Sequence, residues 1–144
     1  MNIFIVENSN YLSDRLTRLV SKRNDVQVIG HAATAKEAVQ EIRTLKPDVV
    51  LLDIRLDQGT GLDVLKQIKL PGQPPAVIVL TNYAYPQYRD RFLANGAEYF
   101  FDKSAELDLM LQALDSLKYR FPLTKGKPDS FQAQIPVQPT YWRK

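Results

Sequence analysis

A chain of 144 residues with 44% hydrophobic and 24% charged positions is long enough to bury one core and has the make-up of an ordinary soluble globule, which excludes fibrous and disordered classes. The absence of cysteine excludes disulfides, thiolate catalysis and the commonest structural zinc sites, and the single histidine, His31, is read as a structural or surface residue. The net charge of +3 resides in residues 122–144, where Lys125, Lys127, Arg143 and Lys144 face Asp129, leaving 15 basic and 15 acidic residues elsewhere; a neutral domain is not expected to bind nucleic acid.

The first apolar run, Ile3-Phe4-Ile5-Val6, closes on Glu7 and reads as a strand over about 2–7. Ser9 then caps a helix whose apolar positions Leu12, Leu16, Leu19 and Val20 keep the three-to-four spacing. A second strand, about 26–31, leads to Thr34-Ala35-Lys36-Glu37, a capping box opening a helix with Ala38, Val39, Ile42 and Leu45 on its buried stripe and a stop near Pro47. The third strand, about 48–53, is Val49-Val50-Leu51-Leu52 ending in Asp53. Thr60 starts a helix with Leu62, Val64, Leu65 and Ile68, ended by Pro71-Gly72.

The fourth strand, about 76–81, ends in Thr81, and Pro86 at a first-turn position suits a helix through Phe92 and Leu93 to Asn95-Gly96. The fifth, about 98–102, ends in Asp102-Lys103, and a last helix runs from about Ser104 to Arg120 with Leu107, Leu111, Leu114 and Leu117 inward. Strict alternation of five strands and five helices over residues 1–121 implies a doubly wound α/β fold around a five-stranded parallel sheet. Residues 122–144, with four prolines and basic spacers, read as an irregular extension; Phe131, Ile135, Tyr141 and Trp142 are its candidates for docking, on the domain or on a second subunit. No apolar stretch approaches the ~18 residues of a membrane span, and the start lacks the basic region of a signal peptide, so a cytoplasmic location without membrane contact is expected.

Parallel sheets of this kind bind ligands beyond the carboxyl ends of their strands, where Glu7, Asp53, Thr81 and Lys103 would converge. A carboxylate held rigidly, a hydroxyl and a cation are the parts for phosphoryl transfer to a side chain, because the loose transition state asks mainly for alignment and charge neutralisation. Glu7 is also a plausible Mg²⁺ ligand, directly or through water.

These residues at these spacings resemble the receiver domain of two-component response regulators, over essentially all of residues 1–121. The matching pieces are Ile5-Val6-Glu7-Asn8, Leu51-Leu52-Asp53-Ile54-Arg55-Leu56, Gly61, Val79-Leu80-Thr81, and Gly96-Ala97-Glu98-Tyr99-Phe100-Phe101-Asp102-Lys103. The resemblance implies the strand order 2-1-3-4-5 and an Asp53 that accepts a phosphoryl group from a histidine kinase or phosphotransfer protein. It further implies that Thr81 and Lys103 bind the group, that Phe100 reports the switch with Thr81, and that Mg²⁺ is held by Glu7, Asn8, Asp53 and the backbone carbonyl of Arg55.

Three positions depart from the family pattern. Asn8 stands where a second acid is usual; losing a unit charge ~4 Å from the ion at an effective dielectric of about 20 is worth roughly 1–2 kcal/mol after screening, about tenfold in metal affinity. Asp57 and Ser104 replace common prolines, and Ser104 is expected to cap the last helix. Arg55 and Tyr83 border the phosphoryl position and are expected to slow its hydrolysis. The aromatic and basic stretch from Asn82 to Phe92 is a candidate dimer or partner surface, with Phe92 and Tyr88 discounted as core.

The leading reading is a single-domain response regulator with a protein partner downstream. The alternative is a pseudo-receiver acting without phosphorylation as an interaction or dimerisation module. A phosphohydrolase would want an acid where Arg55 stands.

Overall fold

The computed structural model describes residues 1–72 and 74–120. In it β1 (Asn2–Val6), α1 (Asn10–Ser21), β2 (Gln27–Ala32), α2 (Ala35–Leu45), β3 (Val49–Leu52), α3 (Gly61–Ile68), β4 (Ala76–Thr81), α4 (Pro86–Ala94), β5 (Tyr99–Asp102) and α5 (Leu107–Leu117) alternate along the chain. All strand pairs are parallel and the order is β2-β1-β3-β4-β5, as expected. The docking candidates Phe131, Ile135, Tyr141 and Trp142 lie outside the described residues.

The strands are apolar throughout because both faces are covered. Phe4, Val6, Val50, Leu52, Val77 and Val79 point to one face and meet Ala38, Val39 and Ile42 of α2, Val64, Leu65 and Ile68 of α3 and Phe92 of α4. Their neighbours Ile3, Ile5, Val49, Leu51, Ile78, Leu80 and Tyr99 point to the other and meet Leu16 and Val20 of α1 and Met110, Ala113, Leu114 and Leu117 of α5. The period of two along each strand thus divides the core into two layers.

The first three helices start at the caps read from sequence. Ser9 accepts from Leu12 N at 3.2 Å and Thr34 from Glu37 N at 3.3 Å. The reciprocal box, expected at Thr34–Glu37, forms instead at α3, where Thr60 Oγ1 accepts from Asp63 N at 3.2 Å and Asp63 Oδ2 from Thr60 N at 3.1 Å. Pro86 occupies the first turn of α4, and Gly96, at φ +104°, follows its last turn.

Ser104 does not cap α5. Its amide and hydroxyl both donate to Asp102 Oδ1, at 2.8 and 2.7 Å, so it closes a turn, and the helix begins three residues later behind Glu106. Its deepest residues include Met110 and Ala113, with Leu107 and Leu111 only half-buried. Leu45 is 42% exposed rather than buried, because α2 ends there in a left-handed Lys46. The third helix stops at Ile68, ahead of Pro71, where Lys69 leaves helical geometry to pair with Glu98.

Candidate functional site

Glu7, Asp53, Thr81 and Lys103 each stand at the carboxyl end of a strand or one residue past it, and the parallel register brings these ends to one edge of the sheet. All four are buried. Lys103 Nζ lies 2.5 Å from Glu7 Oε1 and 3.0 Å from Asp53 Oδ2, so one ammonium bridges the two carboxylates. Sequence placed these groups in one crevice; that Lys103 serves Glu7 as closely as Asp53 was not readable from spacing.

The remaining oxygens are also engaged. Asp53 Oδ1 accepts from Ile54 N at 2.7 Å and Glu7 Oε2 from Ser9 N at 3.2 Å. Burial raises the pKa of Glu7 against the lowering effect of the Lys103 hydrogen bond and charge. For Lys103 burial works downward, but the Glu7 hydrogen bond and the Asp53 charge outweigh it and its pKa is raised. The ammonium is therefore charged at neutral pH. Two carboxylates and one ammonium thus share this buried part of the edge.

Thr81 is fully buried, and its hydroxyl oxygen accepts from Tyr83 N at 3.1 Å, which leaves its proton to donate. Phe100 is buried too, its ring 6.0 Å from that of Phe92 on α4. Its backbone carbonyl accepts from Arg89 Nη1 at 3.1 Å, a tie between α4 and β5 that no sequence spacing announced. Asn8 is exposed on the connection to α1, and His31 is exposed on β2.

The connection after Asp53 is braced on several sides. Gly61 N donates to Ile54 O at 2.7 Å, and Arg55 and Thr60 pair as an antiparallel bridge. A Cβ on Gly61 would stand 2.1 Å from Asp53 O, so the glycine eight residues after the carboxylate is there to let two backbone segments touch. Asp57 N donates to Ala33 O at 3.0 Å and Ala35 N to Gln58 O at 2.9 Å, fastening the loop to the start of α2. At the rim the Arg55 guanidinium lies over the Tyr83 ring, 4.2 Å from its centroid.

The carboxylates of Glu7 and Asp53, the amide oxygen of Asn8 and the carbonyl of Arg55 are hard oxygen donors of the type Mg²⁺ takes. The set fits that ion by chemistry, with few charges: among the described residues no group of three or more His, Cys, Asp or Glu could hold a metal. No helix among them is long and apolar enough to cross a membrane.

The family profile described as the response regulator receiver domain matches residues 3–115. The uncharacterized transcriptional regulatory protein YvfU of Bacillus subtilis is 33% identical over 114 residues, covering 79% of this chain and 57% of that protein. The sensory transduction protein LytT of Bacillus anthracis is 30% identical over 138 residues, 96% of this chain and 51% of the relative. The chain thus spans about half the length of these curated relatives. Among solved structures, the response regulator domain of Thermotoga maritima CheB superposes with a TM-score of 0.71 at 23% identity, covering 96% and 98% of the two chains. A receiver domain from Colwellia psychrerythraea gives 0.74 at 28%, covering 81% and 97%.

Proposed function

The chain belongs to the response regulator receiver domain family, and from that premise we propose that it is a phosphorylation switch in which Asp53 takes a phosphoryl group from a histidine kinase or phosphotransfer protein. The observation that carries this reading is the buried Lys103 ammonium between Glu7 and Asp53, with the Thr81 hydroxyl at the same sheet edge. Residues 1–121 are read as the receiver domain and residues 122–144 as an extension, with output through protein contact.

An Asp53 oxygen forms a bond to phosphorus as the bond from phosphorus to the donor's imidazole nitrogen breaks. The rigid β3 end supplies alignment. Lys103 passes from Asp53 Oδ2 to a phosphoryl oxygen, and the Thr81 proton is donated to another. Mg²⁺, held by Glu7, Asn8, Asp53 and the Arg55 carbonyl, supplies further positive charge when bound. Receiver domains are not enzymes in the ordinary sense, though they promote gain and loss of their own phosphoryl group. Here Arg55 stacked on Tyr83 narrows the path of water to the phosphorus and prolongs the phosphorylated state.

Charge taken up at Asp53 biases Thr81, and Phe100 passes the change to α4, to which both its ring and its carbonyl are attached. Tyr85, 53% exposed and paired with Tyr88, lies on the face that would meet a partner. The test is intact mass after incubation with acetyl phosphate, with and without Mg²⁺, beside Asp53→Ala. A Mg²⁺-dependent gain of one phosphoryl group, absent from the variant, is the expected result. No gain at any Mg²⁺ concentration would favour the pseudo-receiver, a reading that rests on the uncharged, exposed Asn8.

A further inference from the structure

Asp48, Pro75 and Glu98 directly precede β3, β4 and β5, so they stand at the end of the sheet opposite Asp53. All three line a groove of about 760 Å³, flanked by the last turns of α2 and α3, and a space of that size holds a small organic ligand. Ile42, Ile68, Pro47, Pro71, Pro74 and Pro75 give it an apolar wall, and the fixed φ of the prolines makes that wall rigid.

Four cations, Arg43, Lys46, Lys69 and Arg120, line the groove against the carboxylates of Asp48 and Glu98. Residues 1–121 hold 15 basic and 15 acidic side chains, so this excess is local rather than a property of the domain. Both carboxylates are engaged. Asp48 Oδ2 accepts from Asn2 N at 2.8 Å, and Glu98 accepts from Val77 N at 2.7 Å and from Lys69, which also donates to Pro75 O. Arg43 and Lys46 are exposed and enter no ion pair among the described residues. Three residues apart at the end of α2, they stand on one side of it. The carbonyl ends of α2 and α3 oppose them with about half a negative charge each, less than the two cations together supply. Lys46 is also held at φ +50°, a left-handed conformation that suits glycine and strains a lysine. The sequence thus places a long cation where the backbone favours none.

We propose that this groove binds a nucleoside phosphate whose base carries an amino group. The phosphate meets Arg43 and Lys46, a guanidinium fork and an ammonium of the kinds that hold such oxygens. The base lies against the wall of Ile42, Ile68 and the prolines. Gln67 reads its edge: Nε2 donates to Asp63 O at 3.3 Å, which leaves the amide oxygen to accept from the amino group. No residue of the Asp53 edge takes part, so the site stands or falls independently of the phosphorylation switch.

The test is titration calorimetry of the full chain with ADP and GDP, without Mg²⁺, beside inorganic phosphate and adenosine as the separated halves of the ligand. ADP or GDP is expected to bind at least about tenfold more tightly than either half, and Arg43→Ala with Lys46→Gly to weaken that binding about tenfold or more. Glycine suits the backbone at position 46, so the double variant is expected to keep its circular dichroism; if it does not, Lys46→Gly alone decides. Asp53→Ala should bind nucleotide as the unaltered chain does. No binding of either nucleotide at millimolar concentration overturns the proposal, as does binding that survives the deciding variant or is lost in Asp53→Ala. Inorganic phosphate binding as tightly as the nucleotides would reduce the site to a patch for anions, and adenosine doing so would remove the phosphate from it; either result refutes the proposal.

Discussion

Replacing Gly61 by alanine sets two effects against each other, and the structure decides between them. The residue occupies the first turn of α3 behind the Thr60 cap, where alanine improves helix propensity by about 1 kcal/mol. The new Cβ, however, would lie 2.1 Å from the Asp53 carbonyl oxygen and 3.1 Å from both Asp53 C and Ile54 Cα. These are backbone atoms, so no side-chain rotation relieves the overlap. Separation to ordinary contact requires a shift of more than 1 Å in the strand end or the helix start. Overpacking of this kind costs about 1–3 kcal/mol or more, so destabilisation wins. A misplacement of 1 Å at a reacting group is worth about a hundredfold in rate, because phosphoryl transfer depends on alignment. Gly61→Ala is therefore expected to lower the urea midpoint and slow phosphorylation by acetyl phosphate about a hundredfold, with the first followed by circular dichroism and the second by intact mass. A variant that melts and phosphorylates like the unaltered chain would refute the argument that backbone contact at Gly61 positions Asp53.

Lys103→Met strands two buried carboxylates and should cost about 3–5 kcal/mol in denaturant unfolding at pH 8. Glu7, already raised above 4.5 by burial, then loses the Lys103 contacts that lower it; the folded state binds a proton the unfolded state lacks, so the variant's stability should fall as pH rises from 4.5 through the folded value, and a flat profile would count against the pairing. In the unaltered chain the contribution of Lys103 is complete below 10.5 and is lost as pH rises through its higher folded pKa, which an alkaline unfolding series can follow. Asn8→Asp should tighten Mg²⁺ binding about tenfold by calorimetry, and an unchanged affinity would remove Asn8 from the metal set. Arg55→Ala and Tyr83→Ala should each speed loss of the phosphoryl group, measured as decay of the phosphorylated mass; equal decay in all three proteins would make the stack a surface ornament.

Strand and helix positions were legible because both faces of the sheet are covered, so every strand is a short apolar run, and because Ser9, Thr34 and Thr60 are caps whose side chains bind locally. The convergence of Glu7, Asp53, Thr81 and Lys103 followed from topology alone. What sequence could not give were distances set by side chains reaching across elements. Lys69 Nζ binds Glu98 Oε2 at 2.9 Å and Pro75 O at 2.7 Å while Glu98 Oε1 accepts from Val77 N, a buried clasp between residues 29 apart. Ser104 misled for a related reason: a serine ahead of an apolar run satisfies the cap pattern, yet Asp102 two residues earlier competes for the same groups and wins. Leu45 fitted the stripe of α2 but fell on its last turn, where the left-handed Lys46 turns the chain out of the layer.

The fastening of the β3–α3 connection to the start of α2 makes the two flanks of Asp53 mechanically unlike. On one flank Asp57 and Gln58 are tied by main-chain hydrogen bonds to Ala33 and Ala35, the latter a member of the core. On the other, the link to the β4–α4 connection is a guanidinium resting on a phenol ring. The arrangement is a vice with one fixed jaw: a load applied between the jaws is taken up by travel of the other. Whatever enlarges the group on Asp53 therefore has its slack toward Tyr83 and α4, and the direction of the response is set before any ligand arrives.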